Sequence, residues 1–491
     1  MNFNQIPVNL LTPGAYVEFD NSKAIRGLIA MQSRILLIAP MLASGAAVAD
    51  VPFQLASKSD AVAKLGRGSV GADMVDALFA VTNTIEAWVL PVADNGAGVA
   101  AQGTVTITGT VSAAGTLCTY IAGRRIDVAA VSGATAGVMG DALATAINAE
   151  ADLPLTASAS SGVVTLTCRH KGTLGNDIDL RVNYYPLEEK TPAGLAITIA
   201  AMGATTLGAT NPSIATGLAA IGSTQYSTVI CPWTDGSNMA LLEAELTTRW
   251  GPLYQNDGHG HVAVRGTVGE LNTWGSSRNS PHITAWSIEA GGSPTAIWRL
   301  AALAGTASAY YLSIDPARPL QTIQLPTMLP AAADKRFTRA ERNNVLGYGL
   351  ATTIVDAGGN VQIERAVTTY TTNAGGSPDP SYRDIETMAT LSYLRYTLRA
   401  RILQKFPRCK LASDGIQTSD TTIVTPSIIR DEVIALFLDW EAAGLVEGFE
   451  QFKADLAVAR NGMDVNRVDV ILPPDLMNQF RVFAGQIQFL L

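Results

Sequence analysis

Short apolar runs that alternate with stretches of helical spacing restrict the fold of this chain more than any other feature. Ile35–Ala39, Ile85–Leu90, Ser227–Cys231, His261–Val264 and Ile283–Ile288 are strand-length. Their side chains are apolar on both faces, as in strands covered from both sides. Between them, Ser59–Leu65, Asp73–Val81, Asn238–Trp250, Val268–Ser276 and Thr295–Leu312 carry apolar residues at spacings of three and four. Strands that alternate with helices favour a largely parallel sheet with helices on both faces. Downstream, residues 313–335 hold Pro316, Pro319, Pro326 and Pro330 and read as an extended crossing segment. A helix is expected over Arg339–Leu346. Leu350–Val355 and Val361–Glu364 flank Gly358-Gly359, the pattern of a hairpin.

The alternation is interrupted once. From Asn95 to Gly123 no residue is charged, and runs such as Thr104–Thr108 alternate at period two. With a helix over Gly137–Ala149 and strands over Leu155–Ala159, Val163–Cys168 and Ile178–Tyr184, residues 95–205 read as an inserted β-rich domain. Because α/β segments lie on both sides of it, the insertion is expected on the outside of the main body.

After the linker at residues 373–380 the pattern becomes α+β. Ile385, Met388, Leu391, Leu394, Leu398 and Ile402 make a helical stripe that Pro407 ends. Thr425-Pro426 is a cap and first-turn pair for a second helix, with Ile429, Val433, Leu436, Phe437 and Trp440 inward. Strands are expected over Phe452–Ala459 and Arg467–Leu472, leaving a small sheet with an open edge. Pro473-Pro474 then leads into a last strand, with Phe483, Ile487, Phe489 and Leu491 on one face at period two. An apolar terminal strand needs cover from its own fold or from another subunit. Residues 1–22, with Phe3, Ile6 and Val8, form a second extended end.

The domain boundaries read as 1–22 for an N-terminal arm, 23–94 with 206–375 for an α/β body, and 95–205 for the insertion. An α+β C-terminal domain covers 376–478, and a C-terminal arm covers 479–491. Only 15% of residues are charged against 47% hydrophobic, which suits extensive assembly contacts. A net charge of −8 disfavours nucleic-acid binding, since phosphates require a cationic footprint. The exception is a run of Arg395, Arg399, Arg401, Lys405, Arg408 and Lys410, with no acidic residue between Glu386 and Asp414. It is either a solvated helix end or a cationic surface for an acidic protein partner. Cys118, Cys168, Cys231 and Cys409 have no disulfide or metal spacing and read as reduced core residues. No signal peptide is visible and Ile35–Ala49 is too short and too broken by Pro40 to span a membrane, so a cytosolic fold is expected.

Chemical motifs are sparse. Gly66–Gly71 spells G-x-G-x-x-G but follows a helix rather than a strand, so Gly66 reads as a helix C-cap. His259, His261 and His282 could converge on a metal, but no acidic or sulfur ligand completes the set. No nucleophile elbow or phosphate loop is present. No cofactor is expected.

Asp384–Leu391, Tyr393–Tyr396, Val446–Phe449, Ile471–Leu476 and Gln486–Leu491, with Tyr348–Ile354 and Ile363–Tyr370, resemble the contractile tail sheath proteins of Mu-type bacteriophages. The resemblance covers essentially the whole chain. It implies a subtilisin-like α/β middle domain without catalysis, and terminal arms that each add a strand to a neighbour's C-terminal domain. It implies a homo-oligomeric helical sheath around a tail tube, with baseplate and tail terminator partners, assembled in the host cytoplasm and carried in the virion. Arg395, Arg399, Arg401 and Lys405 would then face the tube. Contraction would drive the tube through the host envelope. Two other readings are an α/β hydrolase-like enzyme and a surface-layer or adhesin protein.

Overall fold

The computed structural model describes residues 28–416, 420 and 422–490. Phe3, Ile6, Val8 and Leu491 of the expected arms lie outside the described residues. The chain divides into two compact units, Gln32–Ser392 with Gln479–Leu491, and Met1–Met31 with Tyr393–Asn478. The division falls inside the helix Ile385–Lys405.

The larger unit is built on an eight-stranded sheet. In order its strands are Val361–Arg365, Leu350–Val355, Ile283–Glu289, His259–Gly266, Thr228–Ile230, Arg34–Met41, Glu86–Ala93 and Phe53–Gln54. The six inner strands pair in parallel, and an antiparallel strand closes each edge. Arg34–Met41 lies between two parallel neighbours, and Ile35 to Ala39 are wholly buried. That explains a run with no polar face. The helix Ile297–Ile314 is buried along Trp298–Ala309 and packs on the sheet and on Val70–Val81. Gly305 makes that approach close: an added Cβ would lie 2.9 Å from Ile230 Cγ1 and 3.1 Å from His261 Cβ.

Residues 95–205 contribute two antiparallel sheets. One has four strands, Leu195–Ala200, Ala100–Gly109, Val163–Lys171 and Leu155–Ser160; the other has three, Arg124–Ala130, Gly115–Ile121 and Leu180–Val182. Residues along Ala100–Gly109 alternate between buried and partly exposed, as the period-two pattern requires. The helix Ala136–Ala149 begins at Thr135, whose hydroxyl accepts from the Val138 amide. The apolar residues of these sheets and those of the parallel sheet form one continuous buried cluster.

In the smaller unit, the helix Pro426–Ala442 is capped by Thr425 as the sequence predicts. Trp440 Nε1 donates to Thr397 Oγ1 at 2.9 Å. Among the described residues three two-stranded ladders accompany the helices: Lys410–Leu411 with Ile423–Val424, Val446–Glu447 with Asp475–Leu476, and Ala457–Arg460 with Val468–Ile471. One expectation is corrected. The strand expected over Phe452–Ala459 is the helix Phe449–Asp455 followed by the strand Ala457–Arg460. Gly448, at φ 78, turns the chain into that helix. A spacing of three then places Phe449 and Phe452 against Phe437, which stacks on Phe452 at 4.0 Å.

Candidate assembly surface

Beyond Asp475–Leu476 the chain continues to Leu490 without entering any ladder. Among the described residues the terminal strand expected from periodicity is therefore not formed, because a strand exists only against a partner edge. Every residue from 482 to 490 is exposed, whichever face of the period-two pattern it falls on: Phe483 is 82% and Ile487 91% accessible, and Phe480, Val482, Phe489 and Leu490 are also exposed. Burying each such side chain would stabilise an assembly by about 1.5–3 kcal/mol. Their closeness along one extended segment is what marks a contact surface, since scattered exposed apolar residues are ordinary.

The smaller unit has edges that could receive a strand. Ala457–Arg460 and Val468–Ile471 form a two-stranded antiparallel ladder, with Ala457 opposite Ile471 and Arg460 opposite Val468. Each of these strands has hydrogen-bonding groups along its outer edge, and no third strand joins them among the described residues. Two strands alone are marginal in water, and a third on one edge would complete the sheet.

The basic run divides in two. Arg401 bonds Glu432 Oε1 at 2.9 Å and also Asp439, and Lys405 Nζ lies 3.6 Å from Glu432 Oε2. These charges tie Ile385–Lys405 to Pro426–Ala442. Lys410 pairs with Asp420 at 2.8 Å. Arg395 is half-buried, while Arg399 and Arg408 are exposed. The structure thus gives Arg401 and Lys405 partners inside the unit, a role the spacing along the sequence does not reveal.

The histidines lie in the interior of the larger unit. His259 Nε2 is 2.9 Å from Thr284 Oγ1, and Trp286 Nε1 donates to His261 Nδ1 at 3.2 Å. The His259 and His261 rings are 5.3 Å apart, and His282 packs on Trp250 at 5.2 Å. Burial holds His261 down at about 3. Burial, with His261 and His282 nearby, holds His259 well below its ordinary value. Among the described residues no group of three or more His, Cys, Asp or Glu side chains is placed to hold a metal. Gly66 is the C-cap of Lys58–Leu65, its amide donating to Val62 O, and Ser69 caps Val70–Val81. The Gly66–Gly71 stretch therefore joins two helices. Cys118, Cys168, Cys231 and Cys409 are all free, and burial pushes the Cys168 and Cys231 thiols up to about 12.

One polar cluster was not anticipated from sequence. Asp73 is buried and accepts from Arg299 at 2.5 Å, Trp298 Nε1 at 2.7 Å and Arg124 at 3.0 Å. It ties the strand Arg124–Ala130 to the helices Val70–Val81 and Ile297–Ile314. A cleft of about 370 Å³ opens beside it, lined by Asp76, Arg124, Asp152 and Arg299 among others. Its charges are mutually compensated: Asp76 bonds Lys58 and Arg299, and Asp152 bonds Arg67. The available signal was two acidic residues, Asp73 and Asp76, in an otherwise apolar helix, together with Trp298-Arg299 in another.

Comparison with known proteins points to a structural family. The family described as phage tail sheath protein central domain matches residues 208–369, and that described as phage tail sheath C-terminal domain matches residues 377–490. The tail sheath protein of the Mu-like prophage FluMu of Haemophilus influenzae is 42% identical over 492 residues, with 100% of both chains covered. Among solved structures, the sheath tail protein of Desulfitobacterium hafniense has a similar fold. Its TM-score is 0.50 at 13% identity, over 95% of this chain and 97% of that one. The sheath tail protein of Listeria innocua aligns with a TM-score of 0.48 at 13% identity, over 92% and 94%.

Proposed function

Because the chain belongs to the phage tail sheath family, we propose that it polymerises by exchanging its terminal strands between neighbouring copies. It is a structural subunit of a contractile tail sheath, carried in a phage tail or a prophage-derived particle. The observation that supports strand exchange is the apolar, ladder-free segment at 480–490, in a chain whose smaller unit has open strand edges. Residues Phe483, Ile487, Phe489 and Leu491 would fill alternate positions on the neighbour's edge, with main-chain hydrogen bonds giving the hold. The N-terminal residues Phe3, Ile6 and Val8 would act in the same way.

Strand exchange keeps neighbours joined while protomer bodies reorient, so the lattice can shorten and widen without separating. The extended sheath is metastable, held by contacts to the tail tube, the baseplate and the tail terminator. Contraction buries more surface between bodies and drives the tube through the host envelope without a nucleotide. The larger unit is a subtilisin-like body without catalysis, and residues 95–205 lie on the outside of the cylinder. Assembly takes place in the host cytoplasm. The buried histidines pack and have no reaction to perform.

Removing residues 480–491 tests the reading. The expected product is a soluble, folded protomer that forms no long tubes by negative-stain electron microscopy. Normal cylinders from the truncated chain would refute strand donation.

A further inference from the structure

The exposed terminal segment has one inward-facing residue. Arg481 is 14% accessible while Phe480, Val482 and Phe483 around it are exposed. Its Nη2 lies 2.9 Å from Glu386 Oε2 and 3.2 Å from Asp384 Oδ1. Both carboxylates are themselves fixed. Glu386 is fully buried and its Oε1 accepts from the Leu320 amide at 3.0 Å, while Asp384 accepts two bonds from Arg365 at 2.9 and 3.0 Å. A weaker contact adds to this, with Gln321 Nε2 donating to the Phe480 carbonyl at 3.4 Å.

A charged pin suits a segment that must keep its apolar side chains for another surface. Apolar packing at the root would compete for those side chains, whereas an ion pair in a low-dielectric pocket is directional and uses none of them. Burial raises the Glu386 carboxyl, so its charged form depends on having a cation beside it. Among the described residues Arg481 Nε and Nη1 have no hydrogen-bond partner, so the guanidinium is held through Nη2.

We propose that Arg481, seated on Glu386 and Asp384, is a positioning residue that fixes the root of the C-terminal arm, so that only residues beyond it are presented to a second copy of this chain. This rests on the strand-donation reading above. An extended segment over 482–490 reaches about 30 Å from that root. Fixing the root removes chain conformations before pairing rather than at pairing, which strengthens association without adding a contact between copies.

The test compares full-length Arg481→Gln, Glu386→Gln and Arg481→Lys with a chain lacking 482–491, which keeps Arg481. Glu386→Gln retains an acceptor for the Leu320 amide and so serves if Arg481→Gln misfolds. The readouts are the protomer's thermal midpoint and the critical concentration for sheath formation by sedimentation and electron microscopy. Arg481→Gln and Glu386→Gln should each raise the critical concentration about tenfold with little change in thermal midpoint. Arg481→Lys should recover part of that loss. If both glutamine variants polymerise at the wild-type concentration while the truncated chain does not, the anchor is wrong and donation stands. If the truncated chain itself forms normal sheaths, donation fails and the anchor proposal falls with it.

Discussion

His261 shows how a residue can look chemical in sequence and be structural in the fold. Its ring is buried beside His259 and accepts from Trp286, and burial holds it at about 3 against an ordinary 6.5. The unfolded chain takes up this proton near 6.5 and the folded chain only near 3, so between those values the unfolded state binds more protons. Stability therefore falls as pH falls through that window, and above 6.5 the contribution vanishes because both states are neutral. At pH 4.5 the loss from this one ring is about 2–3 kcal/mol. Urea titrations at pH 7 and 4.5 should show a smaller acid-side loss for His261→Gln than for the wild-type chain. An equal loss in both would place the acid sensitivity elsewhere.

Helices and strands differ in how fully their neighbours constrain them. The helix Val268–Ser276 and the strand Leu350–Val355 fall on the residues that local pattern predicts, because capping and periodicity both act over a few residues. Phe449–Asp455 does not, since the same apolar spacing suits either a strand or a short helix until Phe437 is placed opposite it. The helix Ile297–Ile314 is constrained most closely where Gly305 lies against Ile230. Gly305→Ala should destabilise the larger unit by about 1–3 kcal/mol through overpacking, although alanine is the better helix former. A raised or unchanged denaturation midpoint would mean that the sheet gives way at that point.

At the scale of the molecule, the sheath protomer combines an α/β sheet with buried inner strands and a C-terminal segment, residues 482–490, that is exposed. Arg399 is exposed on the helix whose neighbours Arg401 and Lys405 are engaged with Glu432 and Asp439. If that face meets the tube, converting Arg395 and Arg399 together to Glu should lower sheath yield on purified tubes several-fold, with self-assembly changed less. Co-sedimentation with and without tubes separates the two effects. Equal losses in both would return these residues to a solvated face.

By itself the sequence determined the α/β alternation, the period-two strands such as Ala100–Gly109, the capped helix at Thr425 and the apolar pattern of the last residues. These follow from periodicity, composition and turn chemistry, which are local. Only the tertiary structure decided the strand order and brought Asp73 to Arg124 and Arg299. It also seated Arg481 on Asp384 and Glu386, residues 97 and 95 positions away. Ion pairs between residues so far apart leave no periodic trace, because a single charge is compatible with many partners until folding selects one. The C-terminal segment lies between these cases: its alternation is legible in the sequence, but a strand forms only against a partner edge, and among the described residues it enters no ladder.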